Sequence, residues 1–571
     1  MKSFETDVLI VGGGGAATAA TISAHENGAR TTLAVKGCFG VPGVRGAGAT
    51  SNPLGDYWTI RTVGPQGSFF NPPELVYRDM IQTGLGMADP MLCRIFVDEV
   101  GNAIKRLQQM GQRFKSRVLA TMEANPQAGG TNAIVATQKA VIEATDTRVI
   151  EHANIIDVVV ENGRCIGAVG IDDDGEPLLI AAGAVILAAG GVGQLFRYSF
   201  NPPGNTGDAY AIALRAGADL FNMEFMQQGL ATTWPTQAMV MLYDMERPYR
   251  LLNADGKAFL QNYLPQDITL EEVSKRKASH WPVSCRDEAL HLDRAIKGEV
   301  VAGRGTRNDA VLLDLSGARR GFEPELFIKF MLSKGLDVER DLLQVQIHHH
   351  TSNGGIRIDE NAQTGIGGLF AAGEAAGWQG ADRLGGTMLG GSQVFGWRAG
   401  AHAAKVAQTR PDKDLDPQAF EPVTRQIRVF QEARGDQRPM DLRRGLQHVM
   451  WETLLVEKDA ETLLRAIRYV EDDRERLRTR LRIAEPQDLA LAFEHRNLLD
   501  VAEVIIGAAT MRTESRGSHY RRDYPNREDQ NWLTNIFVSR SNGELELRKQ
   551  WVESEVGWLD QPGDVRIRPW G

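Results

Sequence analysis

DVLIVGGGGAATAATISAHENGA, residues 7–29, is the stretch whose reading decides the fold. Residues 7–11 are a continuous apolar run, as expected of a buried strand in a parallel sheet. Gly12, Gly14 and Ala17 follow in the spacing GxGxxG/A, and small residues then continue in a helical pattern. Glycine at these places permits a tight turn, close approach of the backbone to a pyrophosphate, and close packing of helix on strand. The phosphate would sit at the helix N-terminus. A lone GxGxxG also occurs in turns that bind nothing; its place between a strand and a helix favours the dinucleotide reading. The next strand, 30–35, should then end near an acid for the ribose hydroxyls, but it ends at Val35 and Lys36. That argues against NAD.

A second glycine-rich stretch, 348–396, carries His350, Glu374 and Arg383. Its run 368–373, GLFAAG, reads as a short buried strand that delivers Glu374 to the following turn. A strand end with a carboxylate, then a glycine-rich turn and an arginine, is a candidate ligand face. Consecutive residues of a strand alternate faces, so the three histidines 348–350 do not converge on one ion. No metal site is expected, and His350 alone is kept as a ligand candidate.

A chain of 571 residues implies roughly two to four domains. With 42% apolar and 24% charged residues it has the composition of a globular protein, and a net charge of −9 argues against nucleic acid. Cys38, Cys93, Cys165 and Cys285 are far apart, with no CxxC or CxxCH, so an internal iron–sulfur cluster or c-type haem is not expected. Sparse thiols fit a reducing compartment. The first strand starts with no signal-peptide pattern ahead of it, and the apolar run 181–193 is too short for a membrane span. A cytoplasmic chain without direct membrane insertion is expected.

Taken in order, 1–224 reads as a doubly wound α/β unit with an antiparallel excursion near 155–170, turning at Glu161-Asn162-Gly163. Residues 225–345 hold more aromatic and charged residues and fewer glycines, as an inserted α+β domain would. Strand–turn–helix character returns over 346–409. Residues 410–540 read as a helical domain whose charge runs are solvated faces, and 541–571 as a tail.

With these pieces in place the chain resembles the flavoprotein subunits of the succinate dehydrogenase/fumarate reductase family, to which L-aspartate oxidase is related. The likeness rests on GGGGAA at 12–17, VILAAGGVG at 185–193, NPPGNTGD at 201–208, LLNADGKAF at 251–259, GLFAAGE at 368–374, GADRLGG at 380–386 and ESRGSHYRRDYPNREDQNW at 514–532. It implies a Rossmann-like FAD-binding domain interrupted by a capping domain and followed by a helical domain. It also implies that Gly12, Gly14, Gly15 and Ala17 hold the pyrophosphate. Lys36, Ala47, Gly48, Ile156, Ala189, Gly190, Asp208, Glu374, Met388 and Leu389 would make further cofactor contacts. Covalent attachment in respiratory members uses a histidine in a pattern like R-S-H-T; residues 36–50 contain none, Gly43 falls near that place, and Cys38 reads as a small buried thiol. FAD is therefore expected to be held non-covalently.

By the same resemblance Arg286 carries a proton, while His350 and Arg383 bind a substrate carboxylate, for which a planar guanidinium suits. Dicarboxylate-specific members carry a pattern like E-F-x-Q-F-H-P-T. Here 224–232 is EFMQQGLAT, which puts Gly229 and Ala231 where the His and Thr would be. A hydrogen bond to a charged group contributes about 1.5–3 kcal/mol, so plain succinate or fumarate is expected to bind poorly unless Gln227, Gln228 or Tyr243 substitutes. The small residues are expected to open space for a larger group. The implied activity is oxidoreduction of a CH–CH bond next to a carboxylate. Alternatives are an aspartate-like C–N oxidase and an electron-transfer subunit working with an iron–sulfur protein, and an oligomer is compatible with either.

Overall fold

The computed structural model describes residues 2–41, 44–46, 48–51, 59–63, 71–114, 119–121, 133–237, 240, 250–316, 324–409 and 417–552. Gly43, Ala47 and Tyr243 lie outside them. The apolar run 7–11 is the inner half of the strand Lys2–Val11, exposed at Lys2 and fully buried from Val8. This strand is central in a seven-stranded sheet with the order Arg148–Ile150, Thr31–Ala34, Lys2–Val11, Pro177–Leu187, Arg164–Ile171, Asn154–Glu161. Leu369–Ala371, the strand expected in GLFAAG, pairs in parallel with the end of Pro177–Leu187. The antiparallel hairpin turns at Asn162 and Gly163, whose φ values of 50° and 74° are those a two-residue type I′ turn needs.

Register decides what this sheet presents. Val11 pairs with Leu187, and Leu187 with Ala371. Three parallel strands thus end at one level, and the chain after each leaves the sheet along the same edge. The helices Gly15–Glu26 and Thr387–Gln408, which follow two of these ends, pack on each other and on the central strands.

A second, four-stranded antiparallel sheet has the order Met226–Trp234, Leu343–Ser352, Val311–Asp314, Arg250–Leu252. Between its first two strands the register slips: Gln227 faces Thr351 while Gln228 faces His349, leaving His350 as the extra residue of a bulge. A third sheet joins Gly355–Ile356, Leu220–Phe221, Thr534–Ser541 and Glu544–Trp551. Residues 544–551, assigned above to a tail, are therefore an edge strand paired along Thr534–Ser541.

The segment 417–511 carries the helices Glu421–Gln431, Pro439–Leu454, Ala460–Thr479 and Pro486–Met511. The charge run of Ala460–Thr479 is mostly exposed, with Asp473 buried, but on the helix Pro486–Met511 the charged residues Glu494, Arg496 and Asp500 are buried. A desolvated charge persists only with partners. Arg215 meets Asp157 at 2.8 Å and Asp500 at 2.6 Å, and Arg496 meets Asp157 at 3.0 Å, which clamps the helix Pro486–Met511 to the hairpin. Helical spacing within one segment carries no sign of the sheet that will lie against it.

Glu494 makes the deepest of these ties, to Lys36 at 2.9 Å and to Arg45 and Arg443 at 2.5 Å each. Burial opposes its charge, but Lys36, Arg443 and Arg45 outweigh burial and hold the carboxyl well below its ordinary range. A carboxyl depressed in the folded state stabilises above its unfolded pKa and loses that contribution as pH falls. Glu494→Gln should therefore cost about 3–5 kcal/mol at neutral pH. It should also flatten the loss of stability below about pH 4.5, as read by urea unfolding at a series of pH values.

Candidate active site

The glycine turn after Val11 is built for close approach. Gly12 has φ 127°, and a Cβ there would come within 2.4 Å of the Ala188 carbonyl oxygen. The helix Gly15–Glu26 has Gly14 at its cap, no side-chain cap and no acid in its first turn. Its Gly15 amide donates to Thr50 Oγ1 at 2.8 Å. The helix Thr387–Gln408 starts at a left-handed glycine, Gly386, and it too lacks a side-chain cap and an acid in its first turn, which contains Met388 and Leu389. Two uncapped helix starts at the edge where three strands end fit an anionic, flat cofactor. Gly12, Gly14, Gly15, Ala17, Gly48, Ala189 and Gly190 all lie along this edge: a Cβ on Gly48 would reach the Gly14 Cα at 2.7 Å, and Ala189 and Gly190 directly follow Ala188.

Lys36 stands at the end of the second strand, where the acid was missed. Its Nζ donates to Thr206 Oγ1 at 2.7 Å and Gly204 O at 3.2 Å, and it pairs with Asp208. Asp208 is buried and also accepts from Thr206 Oγ1 and Asn497 Nδ2, each at 2.9 Å. Its carboxylate is thus taken up by the protein and stands behind Lys36. Ile156 is buried in the outermost hairpin strand, which begins beside the end of the second strand, where the Ala153 amide donates to Val35 O at 2.9 Å; the Ile156 carbonyl accepts from Arg215 at 3.1 Å and Arg496 at 3.2 Å.

Glu374 lies in a single turn, Gly373–Ala375, just beyond Leu369–Ala371. Its Oε1 accepts from the Ser352 amide at 3.0 Å, and a side chain at Gly191 would strike it. Burial pushes its carboxyl up to about 7. Ser352 ends the strand that carries His350, so carboxylate and imidazole are fixed to one backbone.

Gln227 Oε1 joins the two carboxylate-ligand candidates: it lies 2.7 Å from His350 Nδ1 and accepts from Arg383 Nη2. Arginine only donates, so the shared atom is the amide oxygen, and His350 donates through Nδ1. The bulge aims His350 at this point. Burial, with the charge of Arg383, holds the imidazole well below its ordinary pKa, and burial lowers Arg383 to about 10. The neighbouring Asp382 turns the other way. It is buried, accepts from Ser284 Oγ at 2.7 Å and pairs with Arg286. The dipeptide Asp382-Arg383 thus ties Arg286 on one side and, through Gln227, His350 on the other.

Gln228 is excluded from the site: its Oε1 accepts from the Val456 amide at 2.6 Å, on the opposite face of the strand. His348 and His349 are buried beside Phe200 and Phe196, and burial lowers them to about 4 and 3. The space expected over Gly229 is not open. The indole of Trp281 fills it, and a Cβ at Gly229 would come within 2.2 Å of the ring.

Comparison with known proteins agrees with this geometry. The family model described as FAD binding domain matches residues 7–389, and that described as fumarate reductase flavoprotein C-term matches 443–562. One of the subunits of the fumarate reductase (CoM/CoB) of Methanothermobacter marburgensis is 31% identical, over 94% of this chain and 97% of its own. An L-aspartate oxidase of Caulobacter vibrioides is 30% identical, over 90% and 93%. Among solved structures, Mycobacterium smegmatis Sdh1 in complex with UQ1 superposes with a TM-score of 0.80 at 26% identity, covering 96% of this chain and 94% of that one. An E. coli quinol fumarate reductase chain has the same fold, with a TM-score of 0.80 at 24% identity and 99% coverage of each. Fold and site define an FAD-dependent oxidoreductase. The chain belongs to the succinate dehydrogenase/fumarate reductase flavoprotein family. Among the described residues no helix is long and apolar enough to cross a membrane.

Several residues that shape the site carried no readable signal. Thr50, Trp281 and Ser284 act across the fold, and only Asp382, adjacent to Arg383, stood within a quoted motif. The motif at 514–532 also changes meaning. Its first half, Glu514–His519, is largely buried. The Gly517 carbonyl accepts from the Cys285 amide at 2.8 Å, and Ser518 Oγ donates to Ala381 O at 2.8 Å. One turn thus steadies the residues preceding both Arg286 and Asp382-Arg383. Gly517 has φ 53°, and a Cβ there would come within 2.9 Å of the Ala381 backbone. Gly517→Ala should displace both arginine-bearing segments. Expected are a turnover lowered by about tenfold or more and a lowered Tm with bound flavin retained, measured by steady-state kinetics and flavin absorbance.

Proposed function

We propose that this flavoenzyme oxidises or reduces a CH–CH bond beside a carboxylate, and that His350 and Arg383 anchor that carboxylate. The observation that carries the reading is the single oxygen of Gln227, which holds both groups to one point. FAD, when bound, supplies the hydride acceptor or donor. The FAD-binding domain is inferred to span 1–224 and 346–409, with the capping domain at 225–345 between them. The glycine turn and the start of the helix Gly15–Glu26 would receive the pyrophosphate, and Lys36, braced by Asp208 and Glu494, would act on the same end. Glu374 and the start of the helix Thr387–Gln408 would face the ring system.

Arg286 is assigned the proton. In the reductive direction its guanidinium gives a proton to the carbon next to the one reduced, and recovers it from solvent. An arginine hardly deprotonates in water, so the assignment depends on a dry site and on fixed aim. Asp382 and Ser284, both buried and bonded to Arg286, supply the aim. A second reading, oxidation of a C–N bond, is favoured by the aspartate oxidase relative. An iron–sulfur partner as electron acceptor or donor is a further reading, raised by the relatives that are subunits.

FAD is inferred to be non-covalent. No histidine lies within 36–50, and Cys38 is half-buried, with Sγ 3.7 Å from His152 Nε2. Acid precipitation should leave the yellow colour in the supernatant; a coloured pellet overturns this. Anaerobic flavin spectra with a panel of saturated and unsaturated carboxylic acids test the main reading. Bleaching by saturated acids supports it, and peroxide release with amino acids in a parallel assay in air favours the oxidase. Arg286→Gln should keep FAD and lose about 10²–10⁴ in turnover; activity within tenfold of wild type removes the proton assignment.

A further inference from the structure

The residue that fills the place over Gly229 comes from another segment, and its chemistry differs from what a dicarboxylate needs. Trp281 lays its indole where a Cβ at Gly229 would be 2.2–2.5 Å from three ring atoms. Its Nε1 donates to Leu230 O at 3.2 Å, so the ring's polar atom is spent on the strand and its carbon edges remain. The indole stands perpendicular to the His350 imidazole, with centroids 5.1 Å apart and an interplanar angle of 89°. Phe200 approaches the same imidazole edge-on, at 5.8 Å and 88°, and lies 5.7 Å from Trp281. Trp281 is buried, whereas Phe200, next to His350, is half-buried.

We propose that Phe200 and Trp281 form the wall against which the unanchored end of the substrate packs, and that this end is an apolar, planar group instead of a second carboxylate. The proposal rests on the anchoring reading given above, in which Arg383 and His350 take the first carboxylate. Charge supports it. Arg286 is matched by Asp382, and Arg383 donates to Gln227. His348, which touches Phe200, is buried and held neutral. A second carboxylate desolvated against two hydrocarbon rings is costly, whereas a hydrocarbon ring gains by burial and by edge-to-face contact.

The test compares ligands that share the anchoring carboxylate and the adjacent carbon pair. Fumarate and cinnamate, and succinate and 3-phenylpropionate, are titrated into the FAD-loaded full chain by calorimetry and flavin absorbance, with Phe200→Ala, Trp281→Leu and Arg383→Gln alongside. The phenyl acids should bind at least about tenfold more tightly than the dicarboxylates. Phe200→Ala and Trp281→Leu should bring that ratio toward one, while Arg383→Gln should weaken both classes alike. If Trp281→Leu fails to retain flavin, Phe200→Ala decides alone, and an unchanged ratio there overturns the wall. Tighter binding of the dicarboxylates, still lost in Arg383→Gln, overturns the wall and leaves the anchor standing. If no acid binds in an Arg383-dependent way, anchor and wall fall together.

Discussion

The common level at which three parallel strands end is the constraint on which the site depends. Val11, Leu187 and Ala371 are register partners, so Gly12, the Ala188–Gly191 run and Glu374 emerge side by side. The close contacts at the edge, Gly12 against Ala188 and Gly191 against Glu374, leave no room for side chains. This is the crevice at the carboxyl ends of strands where open α/β sheets bind their ligands.

A second layer of control is the turn 381–386. Asp382 reaches into the inserted segment and holds Arg286, while Arg383 reaches the second sheet and shares Gln227 with His350. The turn 517–518 supports it from the C-terminal segment. Residues from four distant parts of the chain therefore meet through one dipeptide. The electrostatic state is unfavourable by itself: burial lowers Arg383 and His350 and raises Glu374 and Asp382. Such displaced ionisation is shared by functional sites and buried ion-pair networks, and here it falls on the residues that the proposed reading uses.

Stability and site are joined at Glu494. This buried carboxylate on the helix Pro486–Met511 ties Lys36, Arg45 and Arg443 together. The helical segment thus closes on the same end of the molecule that the glycine turn prepares. Asp500 and Asp157 repeat the device along the hairpin. Each pair is costly to break because a lone charge would be left out of water.

Sequence alone determined the local elements and the chemical inventory. The apolar run 7–11, GxGxxG/A, the short strand before Glu374 and the Asn162-Gly163 turn follow from backbone preferences that act within a few residues. Motif order carried the family, and with it Arg286, His350 and Arg383. Tertiary structure decided which of these meet. The bulge that aims His350 arises from pairing with a strand more than a hundred residues earlier, on which Gln227 meets His350 and Gln228 meets the Val456 amide. That the Ile156 carbonyl is taken by Arg215 and Arg496 likewise depends on segments far away in the chain. The absence of a side chain at Gly229 was legible as empty space; that Trp281 occupies it depends on long-range packing, which no local pattern encodes.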